Sequence, residues 1–264
     1  MAEKVIVDGI GIFEKTFSKY KDSFVIIGGA ACRATLSDSR YTPRKTKDID
    51  MVLVLENLAK DFIDAFWSFI KAGNYKCATR KDNDGRKKYV LYSFYDSLPE
   101  YPAQIELLSR PVDGLGNPEE HNIEAIMMED ASSLSAIILE PDYYNYLISH
   151  TEEKNGLRYA SVDSLICLKA LAYLNLREDK KNGIHVNDDD FKKHRRDVVM
   201  AAASLAVGEE FIVSQNIKDA ITGFIEAVNT DDGVRKSLCD SLKLQDELLL
   251  DEYLNVLDES FVVE

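Results

Sequence analysis

Apolar and polar positions along this chain follow two different rhythms, and the rhythm changes near Ser161. Before it, short apolar runs alternate with helical patterns. Phe13, Phe17 and Tyr20, with Ile12 beside them, fall on one helical face and predict a first helix over 12–20. The run Phe24-Val25-Ile26-Ile27 then predicts a buried strand that meets Gly28-Gly29, and 30–36 favours a short helix. A polar loop over 37–47 leads to Asp48-Ile49-Asp50 at the head of a second buried run, Met51-Val52-Leu53-Val54-Leu55. Phe62, Ile63, Phe66, Trp67 and Ile70 predict an amphipathic helix over 61–71, closing at Gly73. Strands are predicted over 75–79 and 88–95, joined by Asp82-Asn83-Asp84-Gly85, and over 104–108. Beyond these, the pattern predicts a turn-rich loop over 111–118, a helix over 117–129 with Pro118 in its first turn, and strands over 135–140 and 143–151. The turn Glu153-Lys154-Asn155-Gly156 is expected to pair the last of these with a strand over 157–160.

From Val162 onward the period is helical. Leu165, Ile166, Leu168, Leu171, Ala172 and Leu174 form a broad apolar face, and further helical patterns cover 190–206, 217–228 and 242–257. The expected organisation is therefore α+β: a mixed sheet with flanking helices over 1–160, followed by a helical domain over 161–264 that completes a cleft. Neither an internal repeat nor a low-complexity tract is visible.

Composition narrows the class. A 45% hydrophobic and 30% charged chain of 264 residues has the balance of a globular protein with a sizeable core. No apolar run approaches the ~18 residues that span a bilayer, and the N-terminal residues lack the pattern of a cleaved leader, so a cytoplasmic protein without a membrane partner is expected. Cys32, Cys77, Cys167 and Cys239 are far apart with no CxxC spacing, which suggests reduced, buried thiols rather than a disulfide framework or zinc site. A net charge of −14 opposes long nucleic acids, whose binding draws on Lys and Arg neutralising phosphates; a small ligand or one RNA end remains compatible.

The candidate chemistry lies between Phe24 and Leu55. Residues two apart on a strand project to the same face, so Asp48 and Asp50 stand together, and two adjacent anions repel unless a cation lies between them. The glycine pair before the short helix lets a phosphate approach backbone N–H groups, and Arg44-Lys45-Thr46-Lys47 brings basic and hydroxyl groups to the same region. A divalent metal with a nucleotide is the expected occupant. Glu106, inside the run Gln104-Ile105-Glu106-Leu107-Leu108, is either a third ligand or a salt-bridged strand residue. The hairpin's basic residues Arg80, Lys81, Arg86, Lys87 and Lys88 protect an edge or contact phosphate. By themselves, Lys169 reads as snorkelling from its helix edge and Asp197 as pairing with Arg195 or Lys193. His194 reads as a surface residue, and Asp188-Asp189-Asp190 as an N-cap with an acidic first turn.

Taken together, Gly28-Gly29, Arg44-x-Thr46-x-Asp48-Ile49-Asp50, Glu106, Lys169-x-x-Ala172 and Lys193-His194-Arg195-Arg196-Asp197-Val198 resemble the nucleotidyltransferase superfamily of the DNA polymerase β type. Within it they resemble the AbiEii toxin-like family of abortive-infection and toxin–antitoxin systems. The resemblance spans about Phe24 to Met200, and the long loop between Gly29 and Asp48 fits the toxin-like branch. Glu106 departs from the Asp that many relatives carry. The resemblance implies a nucleotidyltransferase-fold sheet and metal-dependent transfer of NMP from an NTP, with pyrophosphate released. It further implies Mg²⁺ or Mn²⁺ on Asp48, Asp50 and Glu106; nucleotide contacts from Gly28, Gly29, Arg44, Thr46 and Lys169; and Asp197 near the acceptor. The acceptor is left open between an RNA end, a protein and a small molecule such as an aminoglycoside, and a cognate antitoxin is the implied partner. A catalytically inactive nucleotide- or partner-binding module on the same fold is the alternative.

Overall fold

A computed structural model of the chain describes residues 7–36, 40–81, 87–110, 123–126 and 134–263. The chain divides into two compact units, one formed by Met1–Ala34 with Arg44–Ala160, the other by Thr35–Pro43 with Ser161–Glu264. The architecture is α+β, with a mixed sheet and flanking helices in the first unit. Among the described residues, no helix is long and apolar enough to cross a membrane.

The first unit contains, in order, α1 (Ile10–Phe17), β1 (Phe24–Ile27), α2 (Gly28–Thr35), β2 (Asp48–Leu53), α3 (Lys60–Ala72), β3 (Lys76–Lys81), β4 (Lys87–Tyr95), β5 (Gln104–Ser109), β6 (Ile123–Ile126), β7 (Leu134–Ile138), α4 (Pro141–Ser149), β8 (Thr151–Lys154) and β9 (Leu157–Ala160). The strands run β3-β4-β5-β2-β1-β9-β8 across the sheet, with β7 parallel to β5 and β6 on β7. β2 lies between β1, antiparallel to it, and β5, parallel to it.

Register assigns each residue to a face. Phe24 pairs with Leu53, Ile49 with Ile105, and Ile105 with Phe94, so these side chains share one side of the sheet. α1 and α3 close over that side with their own aromatic stripes. Phe13 lies 5.9 Å from Phe24 and 5.7 Å from Phe69, and Phe66 lies 5.3 Å from Phe94, all edge-on. All these rings except Phe69 are fully shielded, and truncating one of them to Ala is worth about 3–5 kcal/mol of stability. The α3 stripe expected from the sequence is therefore core.

Several elements differ from expectation. The strand expected over 143–151 is a helix as far as Ser149, and β8 begins at Thr151: Pro141 starts α4, which buries Tyr143, Tyr144, Tyr146 and Leu147 on one face, a spacing of one, three and four. The hairpin partner of β9 is β8, joined to it through Asn155 and Gly156, both at positive φ. The helix expected over 117–129 is replaced at Ile123–Ile126 by β6, and the rest of that span lies outside the described residues, as does the turn at 82–85. The first helix ends at Phe17, and Ser18–Ser23 is a tighter 3₁₀ turn.

The second unit contains α5 (Val162–Lys181), α6 (Asp188–Ala202), β10 (Phe211–Val213), α7 (Gln215–Asn229), α8 (Asp232–Leu242), α9 (Glu247–Ser260) and β11 (Phe261–Val263). The buried stripe of α5 includes Leu165, Ile166, Ala170 and Tyr173, while Leu168, Leu171, Ala172 and Leu174 are only half-buried. Tyr173 meets Phe224 of α7 at 5.3 Å. Asn187 rather than an aspartate caps α6, accepting from Asp189 N–H, and Asp188, Asp189 and Asp190 fill its first turn, where the helix dipole favours anions. A two-stranded parallel pair, β10 with β11, was not foreseen. The four cysteines are free. Cys32 and Cys167 are buried, Cys77 and Cys239 half-buried, and burial pushes the Cys167 thiol well above its ordinary value.

Candidate functional site

The sheet face opposite the aromatic core carries polar residues where β2 and β5 begin. Asp48 and Asp50 alternate with buried Ile49 and Met51, and Gln104 and Glu106 alternate with buried Ile105 and Leu107. Because β2 and β5 are parallel and in register, Asp48 lies beside Gln104 and Asp50 beside Glu106. Three carboxylates thus occupy one face of two adjacent strands.

The turn out of β1 presses onto this group. Gly28 sits at φ +65°, and a Cβ built there would stand 2.0 Å from Asp50 Oδ2, so Gly28 is required both by conformation and by the carboxylate beside it. A Cβ on Gly29 would stand 3.1 Å from Thr46 Oγ1 and 3.4 Å from Arg44 Nη2. Thr46 in turn accepts the Asp48 N–H through Oγ1 at 3.4 Å, and Arg33 donates to the Arg44 carbonyl at 3.4 Å. Gly28, Gly29, Arg44, Thr46, Asp48, Asp50 and Glu106, singled out over nearly eighty residues of sequence, therefore stand together within the first unit. The signal that unites them is strand alternation on β2 and β5, joined to the positive-φ turn.

Two residues that the sequence reasoning missed control Glu106. Gln104 donates through Nε2 to Glu106 Oε1 at 2.6 Å, and Ser93 of β4 donates to the same oxygen at 3.3 Å. Gln104, two residues ahead of Glu106, was detectable from the alternation of β5; Ser93 needed the β4–β5 register. Among the described residues, no group of three or more His, Cys, Asp or Glu side chains is placed to hold a metal ion. The donor chemistry still fits a hard cation. Mg²⁺ is commonly held by one or two carboxylates, with waters and substrate phosphates completing its shell, and Asp48 with Asp50 supplies two.

Lys169 and Asp197 lie in the second unit. Lys169 falls on the buried stripe of α5, four residues from both Leu165 and Tyr173, and is only 5% exposed. A buried ammonium requires a partner, and Lys169 Nζ meets Asp197 Oδ2 of α6 at 2.8 Å, with Asp197 1% exposed. Lys169 thus does not snorkel. Nor does Asp197 pair with Lys193 or Arg195: Lys193 pairs with Asp190 at 2.9 Å, and Arg195 donates to Ser237 Oγ at 2.8 Å. Arg196 stands 3.9 Å from the other Asp197 oxygen. His194 is half-buried rather than a surface residue. The side chains of the basic hairpin residues lie outside the described set.

No family model matches the chain, and no curated protein matches it in sequence.

Proposed function

We propose that the protein is a metal-dependent nucleotidyltransferase of the AbiEii toxin-like kind, moving an NMP from an NTP to an RNA end, a protein or a small molecule. The observation that carries this reading is the apposition of Gly28 to Asp50, with Asp48 and Glu106 on the same face. Asp48 and Asp50 would hold Mg²⁺ or Mn²⁺, which when bound supplies the positive charge that a triphosphate needs as charge moves toward pyrophosphate. The chain's own residues do the positioning. The Gly28-Gly29 turn admits a phosphate to backbone distance, and Arg44 and Thr46, packed against Gly29, supply a cation and a hydroxyl for it. The acceptor oxygen forms its bond to the α-phosphorus, the bond from that phosphorus to the bridging β-oxygen breaks, and pyrophosphate leaves. Glu106 takes the acceptor proton, and Gln104 and Ser93 fix the carboxylate that receives it. Lys169, 5% exposed and paired with Asp197 at 2.8 Å, is taken up by that ion pair, so no phosphate contact is assigned to it. A cognate antitoxin is the partner this reading implies.

A second reading follows from the engagement of Glu106 with Gln104 and Ser93: a nucleotide- or partner-binding module in which two carboxylates hold a metal–nucleotide complex without turnover. Incubation of the full chain with Mg²⁺, each α-labelled NTP and pools of RNA, protein and aminoglycosides separates the two. Transfer to one acceptor with pyrophosphate release is expected, and Asp48→Asn with Asp50→Asn should reduce it by at least ~10³-fold. Nucleotide binding without transfer to any pool would favour the second reading, and absence of both would remove each of them.

A further inference from the structure

A cavity of about 410 Å³ opens in the second unit between the C-terminal half of α5, the first turns of α6 and the start of α8. Its size lies within the ~300–1,000 Å³ range of small-molecule sites. Its charge runs against that of the chain. Arg177, Lys180, Lys181, Lys192 and Arg195 line it with Asp188 and Asp231, and because Lys181 and Lys192 pair with Glu178 and Asp189 at 3.3 and 3.5 Å, its unmatched cations among the described residues are the two arginines, in a protein of net −14.

Both carboxylates are already engaged. Asp188 pairs with Lys180 at 3.1 Å, and Asp231 caps α8 by accepting the Val234 N–H at 3.0 Å. The two arginines are not so matched. Among the described residues neither Arg177 nor Arg195 meets a carboxylate within ion-pair distance, although the chain carries 46 acidic residues against 32 basic ones. Each is nevertheless held in place. Arg177 lies over the Tyr173 ring, 6.0 Å from its centroid, and Arg195 is oriented by its 2.8 Å hydrogen bond to Ser237. Both residues are half-buried, and each guanidinium has more donors than these contacts use. Phe191 lines the same cavity, half-buried and edge-on to Tyr173 at 6.0 Å, with Lys180 Nζ over its ring 5.2 Å from the centroid, so a planar group stacks there in exchange for that ammonium.

We infer that this cavity is a nucleoside phosphate site, with Arg177 and Arg195 taking the phosphate and Phe191 the base. Guanidiniums recognise phosphate by paired hydrogen bonds, and an aromatic face stacks on any nucleobase. No carboxylate here is left over for a divalent ion, so binding is independent of metal. That separates it from the site at Asp48 and Asp50, and the two readings stand or fall apart.

Calorimetric titration of the full chain with ADP in EDTA tests it. Saturable binding is expected in the wild type and in the Asp48→Asn, Asp50→Asn variant alike. Arg177→Gln with Arg195→Gln should weaken it by at least about 10-fold, with Arg177→Gln alone giving an intermediate loss and a thermal melt showing that each variant is folded. Phe191→Leu should weaken ADP while leaving inorganic phosphate unchanged. No binding by the wild type, or equal binding by the arginine variants, would overturn the site. Phosphate competing as strongly as ADP would overturn the assignment of the base.

Discussion

Gly28 shows how closely one residue can tie backbone conformation to chemistry. At φ +65° any other L-residue costs about 1–2 kcal/mol, and a new Cβ would in addition overlap the Asp50 carboxylate. Gly28→Ala should therefore destabilise the fold by roughly 2–5 kcal/mol, the sum of the conformational cost and overpacking. Part of that loss should disappear in an Asp50→Ala background, because the clashing oxygens are gone. Urea midpoints for the four proteins of this cycle measure the coupling, and strictly additive losses would mean that Asp50 swings away from the turn. At this scale much was legible in the sequence. Asp48 and Asp50 alternate with apolar residues, and alternation fixes a face whatever the rest of the fold does. The restraint on Glu106 was not legible, since the hydrogen bond from Ser93 depends on which strand neighbours β5.

Among the elements, α5 and α6 are joined by a charge pair inside an apolar contact. Lys169 occupies a stripe position otherwise held by Leu165, Ile166, Ala170 and Tyr173, and Asp197 stands next to buried Val198 and Val199. Lys169→Met or Asp197→Leu alone should cost about 3–5 kcal/mol, because each leaves one buried charge unmatched. The two together should recover most of the stability, since apolar groups of similar volume replace both. Thermal melts decide this, and a single variant as stable as the wild type would contradict the buried pair. The elements misread from sequence have physical reasons. Tyr143, Tyr144 and Tyr146 raise strand propensity, yet their burial at spacings of one and three, after Pro141 at the first helical position, makes a helix. α8 went unseen because it is short and only Leu238 and Leu242 are buried on it. β10 and β11 lie about fifty residues apart in sequence, a pairing that local periodicity does not report.

For the molecule as a whole, the change of rhythm near Ser161 corresponds to a division of contacts between Ala160 and Ser161, and Thr35–Pro43 joins the second unit through contacts that sequence order does not show. Within the first unit the antiparallel and parallel neighbours of β2 bring residues from 28 to 106 onto one polar face, while the other face is closed by aromatic rings. The central claim is that this polar face binds a metal–nucleotide complex. It is tested most directly by titrating Mn²⁺ into the full chain with a non-hydrolysable NTP analogue and following the resonance of free Mn²⁺ by electron paramagnetic spectroscopy. The wild type should suppress the free-ion signal beyond what the analogue does alone, and that extra binding should weaken by at least about 10-fold in the Asp48→Asn, Asp50→Asn protein. A wild-type chain that leaves the signal unchanged, or a double variant that suppresses it equally, would contradict the claim.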